Sequence, residues 1–176
     1  MVQASRFLAL VLTALAMAPA YAHVLEMPAK LGLAPPEYLT VQQIYRGFGA
    51  IGAVVEPAAV AAAIVLAFLV RGRRAFVPAA TGALCLIAAL LIWVAVVSPV
   101  NAAWQAASPA ALPEGFESLR MRWEWGHAAR AALLVPGFVA LVVAVLADMS
   151  GVAAVVVKRT VPEATAKTSA SSRSAA

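Results

Sequence analysis

Apolar residues fall into four long blocks along this chain, separated by short polar stretches. They are 7–25 (FLALVLTALAMAPAYAHVL), 47–70 (GFGAIGAVVEPAAVAAAIVLAFLV), 76–98 (FVPAATGALCLIAALLIWVAVVS) and about 128–147 (AARAALLVPGFVALVVAVLA). Each holds the roughly 20 residues that a helix needs to cross about 30 Å of hydrocarbon. The pattern predicts an all-α fold, a four-helix transmembrane bundle over residues 1–148, with helices at about 5–26, 36–71, 75–98 and 123–148. In the stretch LAPPEYLTVQQIYRGFG, Pro36 suits a first helical turn and Glu37 the positive end of the helix dipole. The second helix is therefore expected to start outside the bilayer and run unbroken into its span. Pro57, Pro78 and Pro136 lie in or near spans, where bundle neighbours satisfy the freed backbone groups. Residues 149–159 are too short a run to cross and read as a helix extension or an inner interfacial segment. The Ser/Ala/Thr-rich tail 160–176 reads as disordered.

Basic residues give the orientation. Arg71, Arg73 and Arg74 sit in the turn between blocks two and three, Lys158 and Arg159 follow block four, and Arg6 precedes block one. By the positive-inside rule both termini are cytoplasmic and the loops at about 27–46 and 99–126 face outward. Arg6, the apolar run and "AYA" at 20–22 also make a passable signal peptide. Cleavage there would leave His23 as an amino-terminal copper chelator; retention keeps the four-helix bundle.

Composition narrows the class. Mean hydropathy is +0.90, and charged residues make up 12% of the chain, about half the share of a soluble domain. The lipid bilayer is thus the first partner. The net charge of +5 is spread over segment ends, not along one face, so no nucleic-acid partner is expected. Cys85, the single cysteine, lies in an apolar run and supports neither an internal disulfide nor a Cys-based metal site.

The chemistry lies in polar residues at membrane depth. Glu56 is flanked by apolar residues, where an unpaired carboxylate costs several kcal/mol, so it must face the bundle interior. At about 1.5 Å per residue, Glu56 rises about 22 Å above Arg71, His23 about 25 Å above Arg6, and Arg130 and His127 about 27 and 31 Å above Asp148. All four share the outer half of the bilayer. Helix one offers His23-x-x-Glu26, helix four offers Glu124-x-x-His127, and helix two adds Glu56. Glu-x-x-His pairs facing a bundle interior are how di-iron carboxylate proteins hold metal. His23, Glu26, Glu56, Glu124 and His127 are therefore candidate ligands for a transition metal, iron or copper. Glu56, Arg130 and Asn101 are candidate catalytic residues: a proton acceptor, an anion holder and an orienting amide. Without metal, Glu56 and a histidine make an acid–base pair. The structural alternative pairs Glu56 with Arg130, places Trp93, Trp104, Trp123, Trp125 and Tyr45 in an interfacial aromatic belt, and leaves Glu124 and Arg120 as solvated headgroup contacts.

Four stretches, AHVLEMPAKL (22–31), VQQIYRGFGAIGAVVEPAA (41–59), PVN (99–101) and RWEWGHAARA (122–131), resemble the DUF1772 group of small bacterial membrane proteins. That group is similar to anthrone oxygenases, which share an Asn after the third span and a Trp- and Arg-containing start to the fourth; these correspond to Asn101, Trp123 and Arg130. The resemblance implies a multi-pass protein of the bacterial inner membrane, oxidoreductase or oxygenase-like, acting on a hydrophobic small molecule. The set His23, Glu26 and His127 departs from the anthrone oxygenase pattern and speaks against an anthrone substrate. The rival expectation is a non-enzymatic structural or accessory membrane subunit with the polar cluster as interhelical glue. A transporter is disfavoured, since the inner halves of segments one to three show almost no polar residues.

Overall fold

The computed structural model describes the backbone of residues 1–160 and the side chains of residues 1–148. The described residues are helical, without strands: α1 (Val2–Leu31), α2 (Pro35–Gln42), a 3-10 turn (Gln43–Tyr45), α3 (Phe48–Leu69), α4 (Phe76–Ile92), a π-helical turn (Trp93–Val97), α5 (Ser98–Ala106) and α6 (Phe116–Thr160). Four spans, Val2–Leu31, Phe48–Leu69, Phe76–Ala106 and Phe116–Asp148, are long and apolar enough to cross a membrane. The helix of α6 continues through 149–159, while the tail expected to be disordered falls outside the described residues after Thr160.

Around the bundle the order is α1, α3, α4, α6, with α6 packing back on α1. The buried positions of α1 (Arg6, Ala9, Thr13, Ala16, Ala20, His23, Lys30) recur at spacings of three, four and seven, one stripe down a helix. On α3 the stripe is Glu56, Ala59, Ala63 and Leu66. Most residues of the buried apolar core are alanine, which lets backbones approach closely where packing, not water exclusion, joins helices. Gly82 and Gly137 do the same between α4 and α6. A Cβ on Gly137 would lie 2.9 Å from Cys85 Cβ, and one on Gly82 2.7 Å from Leu141 Cγ.

At one end of the bundle, buried Arg6 pairs with Asp148, which Arg73 also reaches at 3.0 Å. This brings the start of α1, the α3–α4 turn and the end of the fourth span together. The opposite end is closed by α2. Here the sequence expectation needs correcting, because the second helix is not continuous from 36 to 71. It breaks at Gln43–Gly47, where Gly47 lowers helix propensity. Tyr38, Leu39 and Gln42 are buried, so α2 lies over the bundle end. Under it Tyr38, Leu39, Val97, Val100, Trp104, Phe116 and Trp123 form a second core.

The third span also differs from the expected 75–98. It runs on to Ala106 through the π-turn. Pro99 has no N–H to return to the Ala95 carbonyl four residues earlier, and Arg122 Nη2 donates to that carbonyl at 2.8 Å instead. Helix six starts at Phe116, two turns before the expected residue 123, which adds Arg120 to its inward stripe of Phe116, Trp123, Glu124, His127 and Arg130.

Candidate functional site

All seven residues singled out from the sequence lie toward the α2 end, and they form two linked groups, not one ligand sphere. In the first, Arg130 Nη2 donates to Glu56 Oε1 in a buried ion pair between α6 and α3. Its Nη1 lies 3.2 Å from His127 Nδ1. Guanidinium has only donors to offer, so His127 Nδ1 accepts and its proton sits on Nε2. His127 is a neutral imidazole here.

The second group is built around Lys30, buried at the end of α1. Its Nζ is 3.2 Å from Glu124 Oε1 and 3.5 Å from Glu26 Oε2, and lies 4.5 Å over the Trp123 ring. Tyr38 donates to Glu124 Oε1 at 2.9 Å, and Tyr45 to Glu26 Oε2 at 2.5 Å. Burial, then the Glu124 charge, pushes the Tyr38 hydroxyl well above the usual phenol range. Burial and the hydrogen bond to Glu26 push Tyr45 up as well. His23 Nδ1 lies 3.3 Å from the same Glu26 oxygen. An ionised carboxylate accepts only, so His23 carries its proton on Nδ1 and leaves the Nε2 lone pair free.

The two imidazoles join the groups, with ring centroids 4.3 Å apart. Trp123 packs on both, at 4.7 Å from His23 and 4.3 Å from His127, and is held by donating Nε1 to Asn101 Oδ1 at 2.7 Å. Asn101, expected to orient a substrate, thus positions Trp123. Tyr45 closes the side of His23 at 4.7 Å.

The five-residue metal set does not converge. Glu56 is matched by Arg130, while Glu26 and Glu124 are matched by Lys30 and the two tyrosines. Among the described residues no group of three or more His, Cys, Asp or Glu side chains is placed to hold a metal ion. A dication would have to displace Lys30 or Arg130 from the carboxylates they pair with, so the donor set fits an ion-paired network better than an iron or copper centre. The aromatic belt needs correction too: Trp104 and Trp123 are interior, whereas Trp125 is 60% exposed on the outer face. Glu124, at 1% exposure, is among the most buried polar residues and not a headgroup contact. Arg120 is also largely buried, donating to the Leu33 carbonyl and lying over Tyr38 and Phe116.

Beneath the histidines is a cavity of about 200 Å³. One wall is apolar, including Leu15, Phe48, Ile51, Val55 and Trp93; the other carries His23, Tyr45, Glu56, Asn101, His127 and Arg130. Lys30, Glu26 and Glu124 do not line it. The residue that sequence reasoning missed is Lys30, assigned to an outer loop. Its signal was present, since it continues the inward stripe of α1 seven residues after His23. Comparison with known protein families, curated proteins and solved structures gives no match to this chain.

Proposed function

We propose that this chain is an integral membrane protein of DUF1772 type that binds a small hydrophobic molecule in the bundle and acts on it by proton transfer, as an oxidoreductase or oxygenase-like protein of the bacterial inner membrane, both termini cytoplasmic. The observation that carries the reading is the cavity, which joins an apolar wall to two imidazoles of complementary tautomer. The Glu26 carboxylate at Nδ1 orients the His23 ring and leaves Nε2 as the nitrogen able to accept a proton, in the manner of an oriented histidine–acid pair. His127, neutral and with a proton on Nε2, is the donor opposite it. Glu56 is balanced by Arg130, which in turn fixes His127, and is not itself the free base. For a carbon acid in the cavity, His23 takes a proton and the carbanion adds dioxygen. The resulting hydroperoxide then loses water, so that R₂CH₂ + O₂ gives R₂C=O + H₂O. Dioxygen is apolar and is available within the bilayer.

The structural-subunit reading has an observation of its own. The Lys30–Glu124 and Arg130–Glu56 pairs each tie α6 to another helix, as interhelical glue would. One experiment separates them. Purified protein in lipid nanodiscs is offered a panel of lipophilic carbon acids and phenols while oxygen uptake is recorded. Uptake that His23→Gln abolishes supports catalysis. Absence of uptake across the panel, with thermal stability lost in Lys30 and Arg130 variants, favours the structural role.

A further inference from the structure

The cavity is not sealed. It shares Gly49, Trp93 and Asn101 with an open groove of about 630 Å³ that also runs past Arg46, Ser98 and Gln105, between the start of α3 and α5. A small recess of about 40 Å³ adjoins both, bordered by Gln42, Arg46, Asn101, Trp104 and Trp123. The opening follows from local sequence. Gly47, Gly49 and Gly52 put little side chain on the first turns of α3, and a Cβ at Gly49 would meet nothing nearer than Asn101 Nδ2 at 4.0 Å. Across from it, the π-turn and Pro99 interrupt regular helix just where Trp93 and Asn101 reach inward.

Charge at this opening is one-sided. Of the carboxylates in the polar network only Glu56 lines any of these spaces, and Arg130 already balances it. Arg46 is exposed at the mouth, with no side-chain partner among the described residues. Asn101 spends its oxygen on Trp123 and leaves its amide N–H groups as donors. Trp104 Nε1, which is buried, has no hydrogen-bond partner among the described residues. The groove and recess therefore hold an unpaired cation and spare N–H donors, and no carboxylate lines them.

Building on the binding reading above, we infer that the ligand enters sideways between α3 and α5 over Gly49, and that it is an acidic amphiphile whose carboxylate is held at Arg46 while its apolar body lies toward His23. Arg130, expected from the sequence to hold such a group, is already neutralised, so the task falls to Arg46.

Two matched probes test this, 4-bromobenzoate (anionic at neutral pH) and 4-bromophenol (neutral). Heavy-atom quenching of tryptophan fluorescence is recorded by stopped flow for protein in uncharged nanodiscs. Arg46→Gln, an exposed change, is expected to weaken 4-bromobenzoate about tenfold and leave 4-bromophenol unchanged. Gly49→Leu is expected to slow association of both probes, and Gly49→Ala to slow neither, which separates a blocked passage from a misfolded helix. Saturable binding of both probes, with wild-type affinity and rate in Arg46→Gln and Gly49→Leu, overturns the portal and leaves the cavity reading standing. Absence of saturable quenching by either probe overturns the cavity reading, and the portal with it.

Discussion

Arg130 donates from Nη1 to Nδ1 of His127 at 3.2 Å, one helical turn away on α6. This contact decides the protonation state of a histidine inside a membrane-spanning bundle, because a donor-only partner leaves imidazole no role except acceptor. Nη2 of the same side chain reaches Glu56 on α3. A single guanidinium thus sets a tautomer and balances an intramembrane acid.

Arg130→Met should strand Glu56 as an uncompensated buried carboxylate and cost about 3 kcal/mol or more. Adding Glu56→Gln to it should recover most of that loss, since the remaining amide carries no charge. Chemical denaturation of the single and double variants in detergent measures both. Equal loss in the two would show that the pair contributes nothing through its charges.

Lys30→Met should leave Glu124, at 1% exposure, with Tyr38 as its remaining partner, and lower stability by about 2 kcal/mol or more. Because Lys30 lies over Trp123, the emission of that tryptophan should shift in the same variant. A variant with unchanged unfolding midpoint and unchanged emission would contradict the arrangement.

Close helix packing predicts opposite outcomes at two glycines. Gly137→Ala places a methyl 2.9 Å from Cys85 Cβ and should destabilise by about 1–3 kcal/mol through overpacking. Gly47→Ala meets nothing within 4 Å, in right-handed helical backbone, and should be neutral or stabilising by about 0.5 kcal/mol. Thermal melts of the two side by side read the difference.

Tyr38 gives a pH dependence with a definite sign. Burial and Glu124 raise its folded pKa above the unfolded value of about 10, so the unfolded chain releases the proton first. Its contribution is fully present below about pH 10 and is lost as pH rises beyond it. Tyr38→Phe should flatten the alkaline fall of stability between about pH 9.5 and 11, measured as unfolding midpoint against pH. A slope identical to wild type would place Tyr38 in water.

Metal loading provides a further check. With Lys30 and Arg130 occupying the carboxylates, dialysis against iron or copper should leave less than one ion bound per chain, and His23→Ala and His127→Ala should not change that content. Stoichiometric metal lost in either variant would restore the ligand-set expectation.

Much of this was legible in the chain. The four spans follow from apolar runs of bilayer length, and the inward face of Glu56 follows from the cost of exposing a carboxylate to lipid. His23, Glu56, His127 and Arg130 were placed at one depth by counting helical rise alone, and the cavity gathers all four. Lys30 becomes legible once helix one extends to Leu31, which carries it onto the stripe of His23. The break at Gln43–Gly47 was harder to read, since beside the local signal of Gly47 it depends on the burial of Tyr38, Leu39 and Gln42 against residues far along the chain.

Hydropathy and helical period are local quantities, and they determined by themselves that this chain forms four long apolar helices with acids and imidazoles turned inward near one end. Which charge meets which is a pairwise, through-space matter, and only the tertiary structure decided it. The packing of α1, α3 and α6 set Lys30 against Glu124 and Arg130 against Glu56, and so turned five candidate metal ligands into two ion-paired groups joined by a pair of histidines. The physical reason is that Coulomb attraction in a low-dielectric interior depends on distances of a few ångströms, which residue spacing along one helix does not fix between helices.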